Sequence, residues 1–319
     1  MSAIRIARSF ITPDSLAELI QADYALSEPV GCQLISKMLR TQDNDHYLVK
    51  TGDGQQFVTR VYQNGDQLHR QESDYLYELD WLQFLRSHQL PVAHSIARFD
   101  GSFLGTLQAP EGQRHYALFD YAEGATMSVS NEEQLYRFGS RMAEIHVVSN
   151  QYTSPYSRQA MDLNFLVDRS LARLRRNWGK ERQDDLGMVV EMAEQAQAEI
   201  EALIKNPEHT PDGWGPIGGD FHPSNVHFNK NGQPTFFNFD LCGPGWRAYD
   251  IATFLLTANL LHERPNYSEA FFAGYYSVRP LSNNEHRAIS PFMTLRRVWL
   301  TGYFSRTDGL IGHTFLASA

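Results

Sequence analysis

The hydrophobic pattern of this 319-residue chain changes period once, near residue 125, and that change limits what the chain can fold into. Before it, short apolar runs alternate with turn residues, as strands do; after it, apolar residues recur at helical spacing. A first helix is expected over 13–26, where Pro13-Asp14-Ser15 is a start signal and Leu16, Leu19, Ile20 and Tyr24 share a face. Strands are expected at 30–39, 46–50 and 56–62, the last two joined through Gly52-Asp53-Gly54. A long helix over 66–88 stops before Pro91, because a residue preceding proline avoids the helical region. Strands at 94–100, 103–108 and 115–121 complete this part. From Asn131 the pattern predicts helices at 131–148, 162–178, 182–205, 248–263, 267–277, 283–291 and 292–305. The expected class is α+β: residues 1–124 a small lobe around an antiparallel sheet, residues 125–319 a larger, mostly helical lobe.

Within the second part, Gly218-Gly219-Asp220-Phe221-His222-Pro223-Ser224-Asn225 is followed by Phe236-Phe237-Asn238-Phe239-Asp240. An Asp with an Asn five residues on, then a short apolar strand presenting more amide and acid groups, suits magnesium-dependent phosphoryl transfer, where positioning and charge do most of the chemistry. Asp220, freed by two glycines, would orient the attacking hydroxyl or accept its proton. Asn225 would give magnesium a neutral oxygen ligand, tolerated when phosphates bring the charge. Asn238 and Asp240 alternate with Phe237 and Phe239, so on a strand over 235–240 they would share one face and hold the metal. A bare Asp-x4-Asn is more often a turn or helix cap; the lobe order and the following strand favour a site. His222 reads as a loop histidine bonding backbone. Asp250 opens a helix and reads as a cap or a brace for the loop, without substrate contact.

In the first part, Arg60 on the third strand and Glu78 on the long helix are candidates for the ion pair that holds nucleotide phosphates. Arg60 on an alternating strand also fits a solvated surface residue. Asp120, Tyr121 and Ala122 lie where a connecting strand would offer backbone groups to adenine. Arg40 to Asp45 stands in the place of a phosphate loop and contains no glycine. A strand-rich lobe, a connecting strand and a helical lobe carrying Asp-x4-Asn form a protein-kinase-like layout.

These residues together resemble the aminoglycoside phosphotransferase and choline kinase superfamily, which includes homoserine-kinase-like and stress-response-kinase-like bacterial proteins. The likeness runs through Gly219 to Asn225, Asn238-Phe239-Asp240-Leu241-Cys242-Gly243 and Arg247-Ala248-Tyr249-Asp250-Ile251-Ala252. Leu90-Pro91-Val92 and the segment from Phe138-Gly139 to Ala143 and His146 extend it over most of the chain. The resemblance implies a two-lobed kinase with ATP and Mg2+. It implies Asp220 as catalytic Asp, Asn225 as magnesium ligand, and Glu78 as partner of a phosphate-binding Arg60. Three positions depart from the family: Gly218 where His is usual, Arg60 where Lys is common, and Asn238 where a metal-binding Asp is usual. Asp240 is the carboxylate nearest in sequence to replace it.

Composition narrows the partners. A net charge of −9 gives no basic stripe for nucleic acid, and only five lysines are present. No apolar run approaches a membrane span, and the first residues lack a signal-peptide pattern, so a cytoplasmic protein is expected. Two cysteines make neither a disulfide framework nor a metal set. Two readings of the function stand side by side: a phosphotransferase acting on a hydroxyl of a small molecule or a protein Ser/Thr, and a kinase-like nucleotide-binding regulator with little or no transfer, which Asn238 and Gly218 motivate. An unrelated α+β protein carrying these motifs by coincidence is the third.

Overall fold

The computed structural model describes residues 8–36, 44–63, 68, 70–204, 213–260 and 267–305. The chain divides into two compact units, one formed by Met1–Ser87, Val92–Ala122 and Ser154–Ser157, the other by His88–Pro91, Glu123–Thr153 and Arg158–Ala319.

The first unit is built on a five-stranded antiparallel sheet. Its strands are β1 (Gly31–Leu34), β2 (Asp45–Lys50), β3 (Gln56–Val61), β4 (Gly105–Ala109) and β5 (Gly112–Asp120), in the order β1-β2-β3-β5-β4. Helix α1 (Pro13–Asp23) starts where the Thr12 side chain caps the Ser15 N–H and Pro13 presets the first turn. Leu16, Ile20 and Tyr24 recur at i+4, and they bury against Tyr47, Val49, Val61, Tyr116 and Leu118. Helix α2 (Glu72–Ser87) buries Tyr75, Leu79, Leu82 and Leu85 and, among them, the carboxylate of Glu78.

One expected strand does not form. Residues 94–100 make a single bridge, Ser95 opposite Phe119, with Ile96 N–H donating to the Leu118 carbonyl. The turn at Arg98–Ser102, with Gly101 at φ +82°, ends the pairing there. Most of the segment Arg40 to Asp45 lies outside the described residues, as do the starts or ends expected at 37–39, 66–67, 205 and 261–263.

The second unit is mainly helical: α3 (Glu132–Val148), α4 (Arg169–Asn177), α5 (Gln183–Leu203), α6 (Arg247–Leu260), α7 (Tyr267–Tyr276) and α8 (Asn283–Tyr303). A π-helical turn, Asn164–Asp168, leads into α4, so the expected helix over 162–178 is two stretches of different winding. The two helices expected at 283–291 and 292–305 are one. Pro291 sits inside α8, where the missing N–H and the ring clash cost about 3 kcal/mol. Burial of Ala288, Ile289, Phe292, Leu295 and Trp299 on both sides of it offsets that cost.

Two small sheets accompany the helices. Strands β7 (Trp214–Ile217) and β10 (Gly243–Trp246) pair antiparallel; β6 (Ala125–Thr126), β8 (Val226–Phe228) and β9 (Pro234–Phe236) form the other. Among the described residues, no helix is long and apolar enough to cross a membrane.

Candidate active site

The loop 218–225 leaves β7 and re-enters regular structure at β8, with a 3₁₀ turn at Pro223–Asn225. Gly219 takes φ +72°, and a Cβ there would lie 2.4 Å from the Leu241 carbonyl oxygen, so only glycine fits. Asp250, at the start of α6 and fully buried, accepts the N–H groups of Gly218 and Gly219, each at 2.8 Å. The expected bracing role for Asp250 is what its hydrogen bonds do.

A buried chain of donors runs into that carboxylate. Glu285, in the capping box with Ser282 that starts α8, accepts from Arg279 Nη2 at 2.6 Å. Arg279 Nη1 donates to Tyr275 Oη at 3.2 Å, which lies 2.8 Å from His146 Nδ1, and His146 Nε2 lies 3.1 Å from Asp250 Oδ2. Burial, with Arg247 and Arg279 nearby, pushes His146 well below its ordinary value, so the ring is neutral. Burial pushes Tyr275 up to about 12, so its hydroxyl keeps the proton and donates to Nδ1. His146 then carries its proton on Nε2 and donates it to Asp250.

Burial pushes the Asp250 carboxyl up to about 7, against the pull of the Gly218 and Gly219 N–H groups. The folded protein therefore holds a proton that the unfolded chain has released. Wild-type stability relative to Asp250→Asn is expected to fall as pH rises from about 4 to about 7, by up to about 4 kcal/mol. Urea unfolding of both proteins across that range measures it, and parallel pH profiles would remove this account of Asp250.

Asp220 stands in a cage of donors. Its Oδ1 pairs with Arg296 Nη2; its Oδ2 lies 3.2 Å from Asn225 Nδ2 and 3.3 Å from His222 Nε2. His222 Nδ1 accepts the Ser224 N–H at 3.2 Å, so Nε2 carries the ring proton and faces Asp220. The backbone-bonding role expected for His222 is present, and the contact with Asp220 is additional. Burial by itself would raise the Asp220 carboxyl; His222 and Arg296 outweigh it and hold the group below the usual carboxylate range.

Asn225 Nδ2 also donates to the Asp220 carbonyl at 3.0 Å, closing the loop on itself, and Asn238 Nδ2 approaches Asn225 Oδ1 at 3.3 Å. The structure thus brings Asp220, Asn225 and Asn238 together. The route differs from the expected one. Strand β9 ends at Phe236, and Asn238 adopts φ +65°, a left-handed conformation that asparagine tolerates better than most residues. Residues 237–240 are therefore not strand, and Asn238 and Asp240 do not share a strand face. The Asp240 carbonyl and the Cys242 carbonyl accept from Arg158, which fixes this turn.

Among the described residues, no group of three or more His, Cys, Asp or Glu is placed to hold a metal. The oxygen donors that these hydrogen bonds bring together beside Asp220 are the amide oxygens of Asn225 and Asn238. Two neutral amides are short of charge for a free-standing cation site and suit a magnesium ion whose charge is met mainly by bound phosphates.

In the first unit, Arg60 Nη1 lies 2.5 Å from Glu78 Oε1, with both side chains buried. The Arg60 guanidinium sits 4.8 Å from the Phe119 ring centroid and 5.5 Å from that of Tyr62. Arg60 is therefore a buried, paired cation. Asp120 ends β5 opposite Phe57 and its N–H donates to the His94 carbonyl at 3.0 Å. Its carboxylate pairs with His94 and Arg86, Tyr121 is half-buried and Ala122 is buried.

Sequence reasoning missed Arg296. The available signal was a charged residue in a buried helical register, four residues after Phe292 and three before Trp299.

The chain matches the phosphotransferase enzyme family over residues 36–288. It is 30% identical over 292 residues to an uncharacterized protein of Synechocystis, covering 91% of this chain and 77% of that one. Its fold is similar to that of an amicoumacin kinase solved with AMP-PNP and Ca2+ (TM-score 0.78, 17% identity, 96% of this chain and 92% of the other). It is similar also to a microcompartment-associated aminopropanol kinase (TM-score 0.76, 23% identity, 95% and 94%). The expected α+β, protein-kinase-like fold is borne out by these likenesses.

Proposed function

The chain belongs to the phosphotransferase enzyme family, and on that premise we propose that it transfers the γ-phosphoryl group of ATP, with magnesium, to a hydroxyl of a small molecule. The observation that carries this reading is the convergence of Asp220, Asn225 and Asn238 on one braced loop. Asp220 takes the hydrogen bond of the acceptor hydroxyl. The hydroxyl oxygen bonds to the γ-phosphorus as the bond from that phosphorus to ADP breaks, and the hydroxyl proton passes to Asp220. Asn225, with Asn238 or Asp240, holds the magnesium that neutralises phosphate charge. Arg60, oriented by Glu78, binds nucleotide phosphates, and the backbone of Asp120, Tyr121 and Ala122 meets adenine. The aminopropanol kinase acts, by its name, on an amino alcohol, so amino alcohols come first among acceptors to try.

Magnesium-dependent ADP release is to be measured against amino alcohols, aminoglycosides and a generic Ser/Thr protein substrate. Release that depends on one small hydroxyl compound supports the proposal. Asn238 supports a second reading, a nucleotide-binding regulator with little transfer, because it removes a negative charge where the family has an Asp. Asn238→Asp is expected to tighten magnesium binding by about tenfold or more, since affinity follows ligand charge. Magnesium titration of turnover checks that. A silent wild type with an active Asn238→Asp would favour the regulator; silence in both would sink the transferase.

A further inference from the structure

We propose that Arg296 is a positioning residue for this transfer: it holds the Asp220 carboxylate so that Oδ1 is the oxygen that receives the acceptor hydroxyl. The inference rests on the phosphotransferase reading above. An ionised carboxylate offers about four lone-pair directions, two on each oxygen. Among the described residues, Asn225 Nδ2 and His222 Nε2 both address Oδ2, so that oxygen is filled. Among the same residues, Oδ1 receives only Arg296 Nη2, which leaves one direction open, beside the guanidinium.

Arg296 is built to hold that geometry. It is 5% exposed, its Nη1 lies 3.3 Å from Tyr249 Oη and 3.4 Å from the Gly219 carbonyl, and its guanidinium sits 4.7 Å from the centroid of Trp299. It therefore grips both the backbone of the loop and the side chain of Asp220. A planar fork does both at once from separate nitrogens in fixed geometry, whereas an ammonium offers its three donors from a single nitrogen on a flexible stem. Most of the advantage of a positioned base comes from having its orientation fixed before the hydroxyl arrives.

The test uses the acceptor found active with the wild type, AMP-PNP titration for nucleotide affinity, and urea unfolding. Arg296→Gln is expected to lower kcat by about 100-fold or more while KM for ATP and AMP-PNP affinity stay within about threefold. Arg296→Lys, which keeps the charge and packs better if the Gln variant does not fold, is expected to recover about tenfold over Gln. In Arg296→Ala, added guanidinium is expected to raise turnover saturably. The proposal is overturned if Arg296→Gln turns over within about threefold of wild type. It is also overturned if kcat and AMP-PNP affinity drop together in proportion to the unfolded fraction, or if guanidinium gives no rescue of a folded Ala variant. Absence of acceptor-dependent turnover in the wild type would be a different result, since it defeats the transferase reading itself.

Discussion

Asp220→Asn is expected to reduce acceptor-dependent turnover by about 10²–10⁴-fold, the range that a positioned base supplies. Asparagine keeps the size of the side chain and can still accept from Arg296 with its oxygen. Its amide nitrogen then faces Asn225 and His222, which are themselves donors, so the exchange loses hydrogen bonds worth about 1–3 kcal/mol. Asp220→Ala is the poorer probe. It strips the partner from a buried guanidinium, and breaking such a pair costs about 3–5 kcal/mol. Turnover, AMP-PNP binding and urea unfolding measured on both variants separate chemistry from stability. If Asp220→Asn keeps turnover within about tenfold of wild type, Asp220 is not the base.

Glu78→Ala is expected to destabilise the first unit by about 3–5 kcal/mol, because it breaks a buried ion pair by removing its carboxylate. Tyr62 Oη, 3.3 Å from Glu78 Oε2, loses a partner as well. Nucleotide affinity should fall in the same variant, since the carboxylate that orients the guanidinium is removed. Replacing both members by apolar residues of similar size, Arg60→Met with Glu78→Leu, should recover most of the stability and none of the nucleotide affinity. A loss below about 1 kcal/mol for Glu78→Ala would mean that Arg60 is solvated or paired elsewhere.

The parts of this chain that depend on near neighbours were legible in its sequence. The 46–50 and 56–62 patterns fall on Asp45–Lys50 and Gln56–Val61, and the 131–148 pattern on Glu132–Val148. Alternation and helical spacing report burial directly, so they carry this information. The loop from Gly218 to Asn225 was legible for a similar reason, its spacing being fixed by covalent distance. What failed depends on the rest of the fold. Phe237-Asn238-Phe239-Asp240 alternates like a strand, yet Asn238 turns left-handed to reach Asn225 thirteen residues away in sequence. Pro291 looks like a break, yet packing on both sides carries α8 through it. Arg296 reaches Asp220 across 76 residues, and no local pattern names a partner at that distance.

Helix α8 touches the loop 218–225 twice, once directly through Arg296 and once through the relay that begins at Glu285. Both contacts belong to residues made long after the loop itself. At a synthesis rate of about 5–20 residues per second, Arg296 is added about 4–15 s after Asp220, a gap of 76 positions. During that interval the nascent chain has the Asp, the Asn and the glycines, and lacks the guanidinium that contacts Asp220 and the Gly219 carbonyl. The order of translation thus leaves the loop 218–225 without its two α8 contacts until that helix has been made and has docked.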